Sequence, residues 1–115
     1  MVVNETSMKM KVVKIKPKKV AKMMKDKDIF ILDVRPKDFK RDSSFIVGSV
    51  HCPLLDLTER YQEFPKNKEI VITDWAMRQS TLAAKYLIKE GYQVIGVLKG
   101  GIERWKHDNL PVENR

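Results

Sequence analysis

The sequence predicts a single α/β domain in which helices cover both faces of a mostly parallel sheet. Short apolar, β-branched runs alternate along the chain with segments whose apolar residues recur at helical spacing. Residues 29–32 are apolar at every position, as expected of a central parallel strand that is buried on both sides. With 115 residues, 43% hydrophobic and 33% charged, the chain suits one globular core.

The first elements are a tail, an edge strand and a helix. We expect residues 1–10 to be a flexible tail and residues 11–115 to form the domain. Residues 11–16 combine apolar side chains with flanking lysines, which favours a short edge strand because such lysines discourage further strand pairing. Pro17 suits the first turn of a helix. The apolar face of that helix would carry Val20, Met23 and Met24.

The central strand at 29–32 is followed by Asp33, Val34 and Arg35, and Pro36 prevents the strand from continuing. We predict a short helical turn over 36–41 and a loop over 42–44. A second short strand at 50–52 ends at Pro53. A helix is then predicted from the apolar spacing of Leu54, Leu55, Leu57, Tyr61 and Phe64, and it ends at Pro65 and Asn67.

The second half of the chain repeats the alternation. A β-branched strand at 70–73 leads to a helix over 80–90, and Gly91 occupies its C′ position. We expect one side of this helix to carry Leu82, Ala83, Tyr86 and Leu87. A strand at 94–97 follows. The last helix begins at Gly100 and Gly101 and carries Ile102 and Trp105.

Composition limits the classes of function. No segment reaches the roughly 20 apolar residues that cross a bilayer. Residues 1–11 contain no apolar core and no small-residue cleavage site, so we expect no secretion signal. The single Cys52 suits a reducing cytoplasm, and with two scattered histidines it gives no metal-ligand pattern. We therefore expect a cytoplasmic protein without metal or other cofactor, away from membranes.

The net charge of +8 is concentrated at one end. Residues 1–28 hold nine lysines against three acidic residues, a balance of +6. One interpretation is a solvated basic surface; another is attraction to an anionic partner such as RNA, an acidic protein or a membrane surface. No aromatic residues lie between these lysines, so base stacking, and with it nucleic-acid binding, is not favoured.

The segment 69–105 resembles the C-terminal half of a rhodanese-like (sulfurtransferase) domain. In that family the loop after the strand usually contains Cys-x-x-Gly-x-Arg-Ser, followed by two residues and Ala-Ala. Counting back from Ala83 and Ala84, Ser80 matches the serine, Gln79 the arginine, Met77 the glycine and Asp74 the cysteine.

The resemblance extends from about Val12 to Pro111. Asp33-Val34-Arg35 is similar to the family's Asp-Val-Arg, and the closest agreement is Gly91-Tyr92-x-Val94 with Gly100-Gly101-Ile102 and Trp105. The resemblance implies a three-layer domain with a mostly parallel, five-stranded sheet. It also implies fold-supporting roles for Asp33, Arg35, Gly100, Gly101 and Trp105.

The family's reaction needs a cysteine thiolate that takes up a sulfane sulfur, and a carboxylate cannot form a persulfide. With Asp74 at the cysteine position we expect no catalytic residue of the usual kind. One interpretation makes Asp74 an internal anion that fills the N–H cradle of the loop and caps the helix. The others make it part of a recognition surface, or a nucleophile.

The resemblance also identifies an active-site-like loop of seven residues: Asp74, Trp75, Ala76, Met77, Arg78, Gln79 and Ser80. Met77 replaces a glycine that needs a positive φ. Arg78 either binds an anion or pairs with Asp74, and it replaces Gln79 as the arginine counterpart if the loop is one residue shorter. Trp75 is either an interface anchor or folded back onto the domain.

Three functional hypotheses follow. The first is a rhodanese-like module without sulfurtransferase activity, binding or regulatory in sulfur metabolism or signalling, whose partner is a small anion at the 74–80 loop, a protein or a sulfur carrier. The second is an active sulfurtransferase that uses Cys52, or a reaction with Asp74 as base. The third is a basic docking module for RNA or an acidic protein.

Overall fold

A computed structural model describes residues 11–36 and 43–114. Its main sheet has five strands: β1 (Lys14–Ile15), β2 (Phe30–Asp33), β4 (Val50–His51), β5 (Glu69–Thr73) and β6 (Gln93–Leu98). Their order across the sheet is β1-β6-β5-β2-β4, and every neighbouring pair is parallel. The lysine-flanked strand β1 lies at the edge of the sheet, as its sequence predicts.

Within residues 11–36 and 43–114, four α-helices complete the three layers: α1 (Pro17–Asp26), α2 (Leu57–Arg60), α3 (Ser80–Lys89) and α4 (Gly101–His107). Successive strand residues point to opposite faces. Leu32 and Ile72 belong to the core beneath α2 and α3, whereas Ile31 and Val71 belong to the core beneath α1 and α4. The predicted α/β fold with helices on both faces of a five-stranded sheet is confirmed.

The predicted loop at 42–44 is wrong at Ser44. Strand β3 (Ser44–Ile46) pairs antiparallel with β7 (Val112–Asn114), a strand that the sequence analysis missed. Ser44 is buried, and its carbonyl oxygen accepts a hydrogen bond from Nη2 of Arg35 at 2.8 Å. Distant partners therefore make this segment a strand. The predicted tail at 1–10 and most of the predicted turn at 36–41 lie outside the described residues.

The single helix predicted between Leu54 and Phe64 is also wrong. The segment consists of a 3₁₀ turn (Leu54–Asp56), α2 and a second 3₁₀ turn (Tyr61–Glu63). Leu57 and Phe64 are buried, but Leu55 is 93% exposed. Apolar spacing predicted the buried Leu57 and Phe64, but it was wrong for Leu55 and did not predict that the backbone changes helix type.

Helix α3 begins at the predicted Ser80 and ends one residue before the predicted Glu90, and its buried face is slightly rotated. Ser80, Ala83, Ala84 and Leu87 are buried, at the i, i+3, i+4, i+7 spacing of one helical stripe, whereas Leu82 is 60% exposed. The small alanines thus face the sheet. No helix within the described ranges is long and apolar enough to cross a membrane.

Candidate functional site

The 74–80 loop lies at the carboxyl edge of the sheet, where ligands of parallel α/β proteins bind. Asp74 directly follows β5, and the loop then enters α3 at Ser80. Because Thr73 is the register partner of Asp33, the loop begins beside the end of β2. The site therefore depends on two adjacent central strands.

The carboxylate of Asp74 is turned inward and only 3% exposed. It accepts backbone hydrogen bonds from Met77, from Gln79 at 2.5 Å and from Ser80 at 3.0 Å. The first N–H groups of a helix have no partner within the helix, and a negative charge there also interacts favourably with the helix dipole. Asp74 thus acts as an internal anion that caps α3.

Met77 gives the loop its shape. Its φ is +88°, a conformation that a residue with a Cβ rarely adopts. Met77 therefore adopts the positive φ that was expected of a glycine at this position. It presents the Met77 N–H to Oδ1 of Asp74.

Replacing Met77 by glycine is expected to stabilise the domain. Relief of the positive-φ strain, about 1–2 kcal/mol, exceeds the extra chain entropy that glycine loses on folding, about 0.5–1 kcal/mol. Urea denaturation should show a net gain of about 0.5–1 kcal/mol. Asn109→Gly is the matched control: Asn109 has φ +58°, which asparagine tolerates well, so its gain should be smaller. A loss of stability in Met77→Gly would show that the methionine side chain outweighs the strain.

Helix α4 fixes the first part of the loop. The carbonyl oxygen of Asp74 accepts the N–H of Ile102 at 2.9 Å, and that of Trp75 accepts the N–H of Glu103 at 3.3 Å. The start of α4 approaches so closely that a Cβ on Gly101 would lie 2.2 Å from the Trp75 carbonyl oxygen. The absence of a side chain at Gly101 is thus what lets α4 pack against the candidate site.

A buried ion pair supports the loop from the other side. Nη2 of Arg35 lies 2.7 Å from Oδ2 of Asp33, and both side chains are buried. The Arg35 guanidinium lies 4.8 Å from the centroid of the Trp75 ring, a cation–π contact. Trp75 is half-buried and packs against the core beneath α1 and α4. Its ring is folded back onto the domain, one of the two positions predicted for it.

The outer surface of the loop borders a cavity of about 330 Å³, lined by Pro36, Asp74, Trp75, Ala76, Arg78, Gln79 and Glu103. Arg78 is exposed and, within the part of the chain described, forms no ion pair with Asp74. Pro36 and Glu103 were missed by the sequence analysis. No sequence motif indicates that Glu103 lies at this site, because only the packing of α4 brings it to the loop.

Cys52 does not line this cavity. It is buried in the core beneath α2 and α3, and its backbone N–H bonds to the Asp33 carbonyl oxygen at 2.9 Å. Burial raises the pKa of the Cys52 thiol above its ordinary value of 9.0, with nearby Arg60 opposing the shift and Asp56 adding to it. An inaccessible thiol that resists ionisation is a poor nucleophile.

This raised pKa predicts a pH dependence of stability. Below pH of about 9 the Cys52 thiol is protonated in both the folded and the unfolded chain. As the pH rises further, the thiol of the unfolded chain loses its proton first. The free energy of unfolding therefore falls with rising pH until the pKa of the folded state is passed. Cys52→Ala removes this component. Tyr86 and Tyr92, whose pKa values burial also raises, remain in both proteins as a shared background. Urea denaturation across the alkaline range should therefore give a shallower decline for Cys52→Ala, and equal declines would contradict the prediction.

Comparisons with known proteins agree with this architecture. A family model described as the rhodanese-like domain matches residues 16–108. Thiosulfate sulfurtransferase GlpE of Coxiella burnetii is 29% identical over 84 residues, which cover 73% of this chain and 78% of that protein. The putative sulfur carrier protein YrkF of Bacillus subtilis is 32% identical over 84 residues, covering 73% of this chain and 45% of that protein.

The fold is also that of solved structures. The crystal structure of a full-length protein from Lactobacillus plantarum superposes with a TM-score of 0.77 at 28% sequence identity, covering 88% of this chain and 87% of the other. The family match spans most of the chain and includes the strand, loop and helix that form the candidate site. The chain belongs to the family of rhodanese-like domains.

Proposed function

We propose that this chain is a rhodanese-like domain without sulfurtransferase activity that acts as a binding or regulatory module. The observation that carries the proposal is the Asp74 carboxylate, which accepts three backbone N–H groups at the start of α3. In the family those groups hold the cysteine and the anion that forms on it. Here a side chain of the protein itself occupies them.

A cysteine and an aspartate at this position differ in their ability to take up the sulfane sulfur. A thiolate attacks the outer sulfur of thiosulfate, forms an S–S bond and releases sulfite; a second thiol or cyanide then removes that sulfur. A carboxylate oxygen is too weak a nucleophile toward sulfane sulfur to carry this exchange. Cys52 does not replace it, because its thiol is buried outside the loop cavity.

The cradle is equally unsuited to an external anion. Its N–H donors already bond to a carboxylate, and a second negative charge beside Asp74 would be repelled. We therefore place any partner contact on the outside of the loop, where Ala76 and Arg78 are exposed. That one relative is named a putative sulfur carrier protein supports a protein partner from sulfur transfer.

The test is to restore the nucleophile. Asp74→Cys places a thiolate at the same helix N-terminus, where the N–H groups and the dipole lower its pKa. We expect the unmodified chain and Asp74→Ser, a matched variant of similar size without a thiol, to stay at background in a thiosulfate:cyanide assay. Asp74→Cys should rise clearly above both and should gain the mass of one sulfur atom after thiosulfate treatment.

Two results of this assay would contradict different parts of the proposal. Stoichiometric persulfide on the unmodified chain would overturn the proposal, and its loss in Cys52→Ala would assign the reaction to that thiol. If Asp74→Cys remains folded by circular dichroism but forms no persulfide, the cradle is not the family's, and the interpretation of Asp74 as a substituted nucleophile is wrong.

A further inference from the structure

A second cavity lies beside β1 and β6, away from Asp74. It has a volume of about 270 Å³ and is lined by Lys16, Pro17, Lys18, Lys99, Arg104 and Asp108. Four of its six lining residues are cationic and one is acidic. We call it the β1–β6 basic pocket.

Strand register brings two of the lysines together. Ile15 of β1 is the partner of Leu98 of β6, and the next residue on each strand is a lysine. The N–H of Lys99 bonds to the Ile15 carbonyl oxygen at 2.8 Å, so the two chains remain paired where the lysines leave the sheet. Lys16 and Lys99 therefore extend side by side from the carboxyl edge of a parallel sheet, where ligands bind in this class of fold.

The positive charges of this pocket are mostly uncompensated. Nε of Arg104 lies 3.3 Å from Oδ1 of Asp108, which accounts for the one carboxylate present. Lys16, Lys18 and Lys99 form no ion pair with any residue in the described ranges, whereas elsewhere Lys27 and Lys68 each pair with an acidic side chain. Like charges on neighbouring strands repel each other, so an anion that bridges them would be bound favourably.

We propose that the β1–β6 basic pocket binds a small molecule that carries two or more phosphate groups. Lysine ammonium groups are suited to phosphate oxygens, and charge-assisted bonds to them are stronger than neutral ones. The volume lies just below the usual range for small-molecule sites, about 300–1,000 Å³. None of the lining residues is aromatic, so the pocket offers no surface on which a nucleic-acid base could stack. This inference is independent of the proposed function, because it involves no residue of the 74–80 loop.

The experiment is calorimetric titration of tripolyphosphate into the full chain at an ionic strength of about 0.15 M, where diffuse attraction is largely screened. Lys18→Gln/Lys99→Gln removes two charges from the pocket. Lys22→Gln/Lys25→Gln removes two charges from exposed positions of α1 that do not line it. We expect the pocket variant to weaken binding about 10-fold or more, roughly 1.4 kcal/mol, and the control variant to weaken it less than about 2-fold.

Three results would overturn the inference: no binding of tripolyphosphate to the unmodified chain, equal weakening in both double variants, or tighter binding of a single-stranded RNA oligonucleotide that both variants weaken alike. The last two would mean diffuse attraction to polyanions. Asp74→Cys should bind tripolyphosphate as the unmodified chain does, so this result and the persulfide assay succeed or fail separately.

Discussion

Gly101→Ala is expected to lower the free energy of unfolding by about 3 kcal/mol or more, because two separate costs add at this position. Gly101 has φ +64°, where a Cβ is strained, and its ideal Cβ would lie 2.2 Å from the carbonyl oxygen of Trp75 and 2.7 Å from the N of Ala76. Both contacts are with backbone, which cannot rotate away as a side chain can. To relieve this steric overlap, α4 would have to move away from the loop. That movement would weaken the hydrogen bonds that the Ile102 and Glu103 N–H groups donate to the loop.

Gly48→Ala separates the two costs. Gly48 has φ +84°, but no heavy atom lies within 4 Å of its ideal Cβ. Alanine there should cost only about 1 kcal/mol, the conformational part. Urea denaturation of both variants measures the difference. If Gly101→Ala loses no more than Gly48→Ala, the contact between α4 and the 74–80 loop is not as close or as rigid as described.

The parts of the fold that local sequence determines could be predicted. Residues 29–32 and 70–72 are apolar runs, which predict buried strands without any knowledge of the strands that pair with them. Pro17 and Gly91 are local signals of a helix start and a helix end. The β3–β7 pair could not be predicted in this way. Ile46 and its partner Val112 are far apart in sequence, and each segment becomes a strand only because the other pairs with it.

The candidate site, too, could be predicted only where local sequence determines it. The count from Ala83-Ala84 placed Asp74 at the start of the loop, and the glycine pattern anticipated the positive φ of Met77. The contact of Trp75 with Arg35 and the presence of Glu103 at the cavity depend on packing between elements that are remote in sequence. The same holds for the β1–β6 basic pocket, where strand pairing joins Lys16 to Lys99.

Arg35→Met should produce the other large loss of stability, about 3–5 kcal/mol, the usual result of removing one partner of a buried ion pair. Asp33 has no exposed surface, and Arg35 donates to it through Nε at 3.0 Å, Nη2 at 2.7 Å and its backbone N–H at 3.1 Å. Methionine fills much of the arginine volume but leaves a buried carboxylate without its cation. The Ser44 carbonyl oxygen and the Trp75 ring lose the guanidinium as well.

Removing both charges distinguishes the contribution of the Asp33–Arg35 ion pair to stability from that of the other contacts of Arg35. In Asp33→Asn/Arg35→Met the asparagine oxygen can still accept the backbone N–H of residue 35, and no charge is buried. The double variant should therefore recover part of the stability that Arg35→Met loses. Lys27→Met, which breaks an exposed pair with Glu69, should cost less than about 1 kcal/mol. If the double variant is as unstable as Arg35→Met alone, the loss comes from the missing contacts with Ser44 and Trp75. The guanidinium would then stabilise the domain chiefly by joining β3 to the loop rather than by neutralising Asp33.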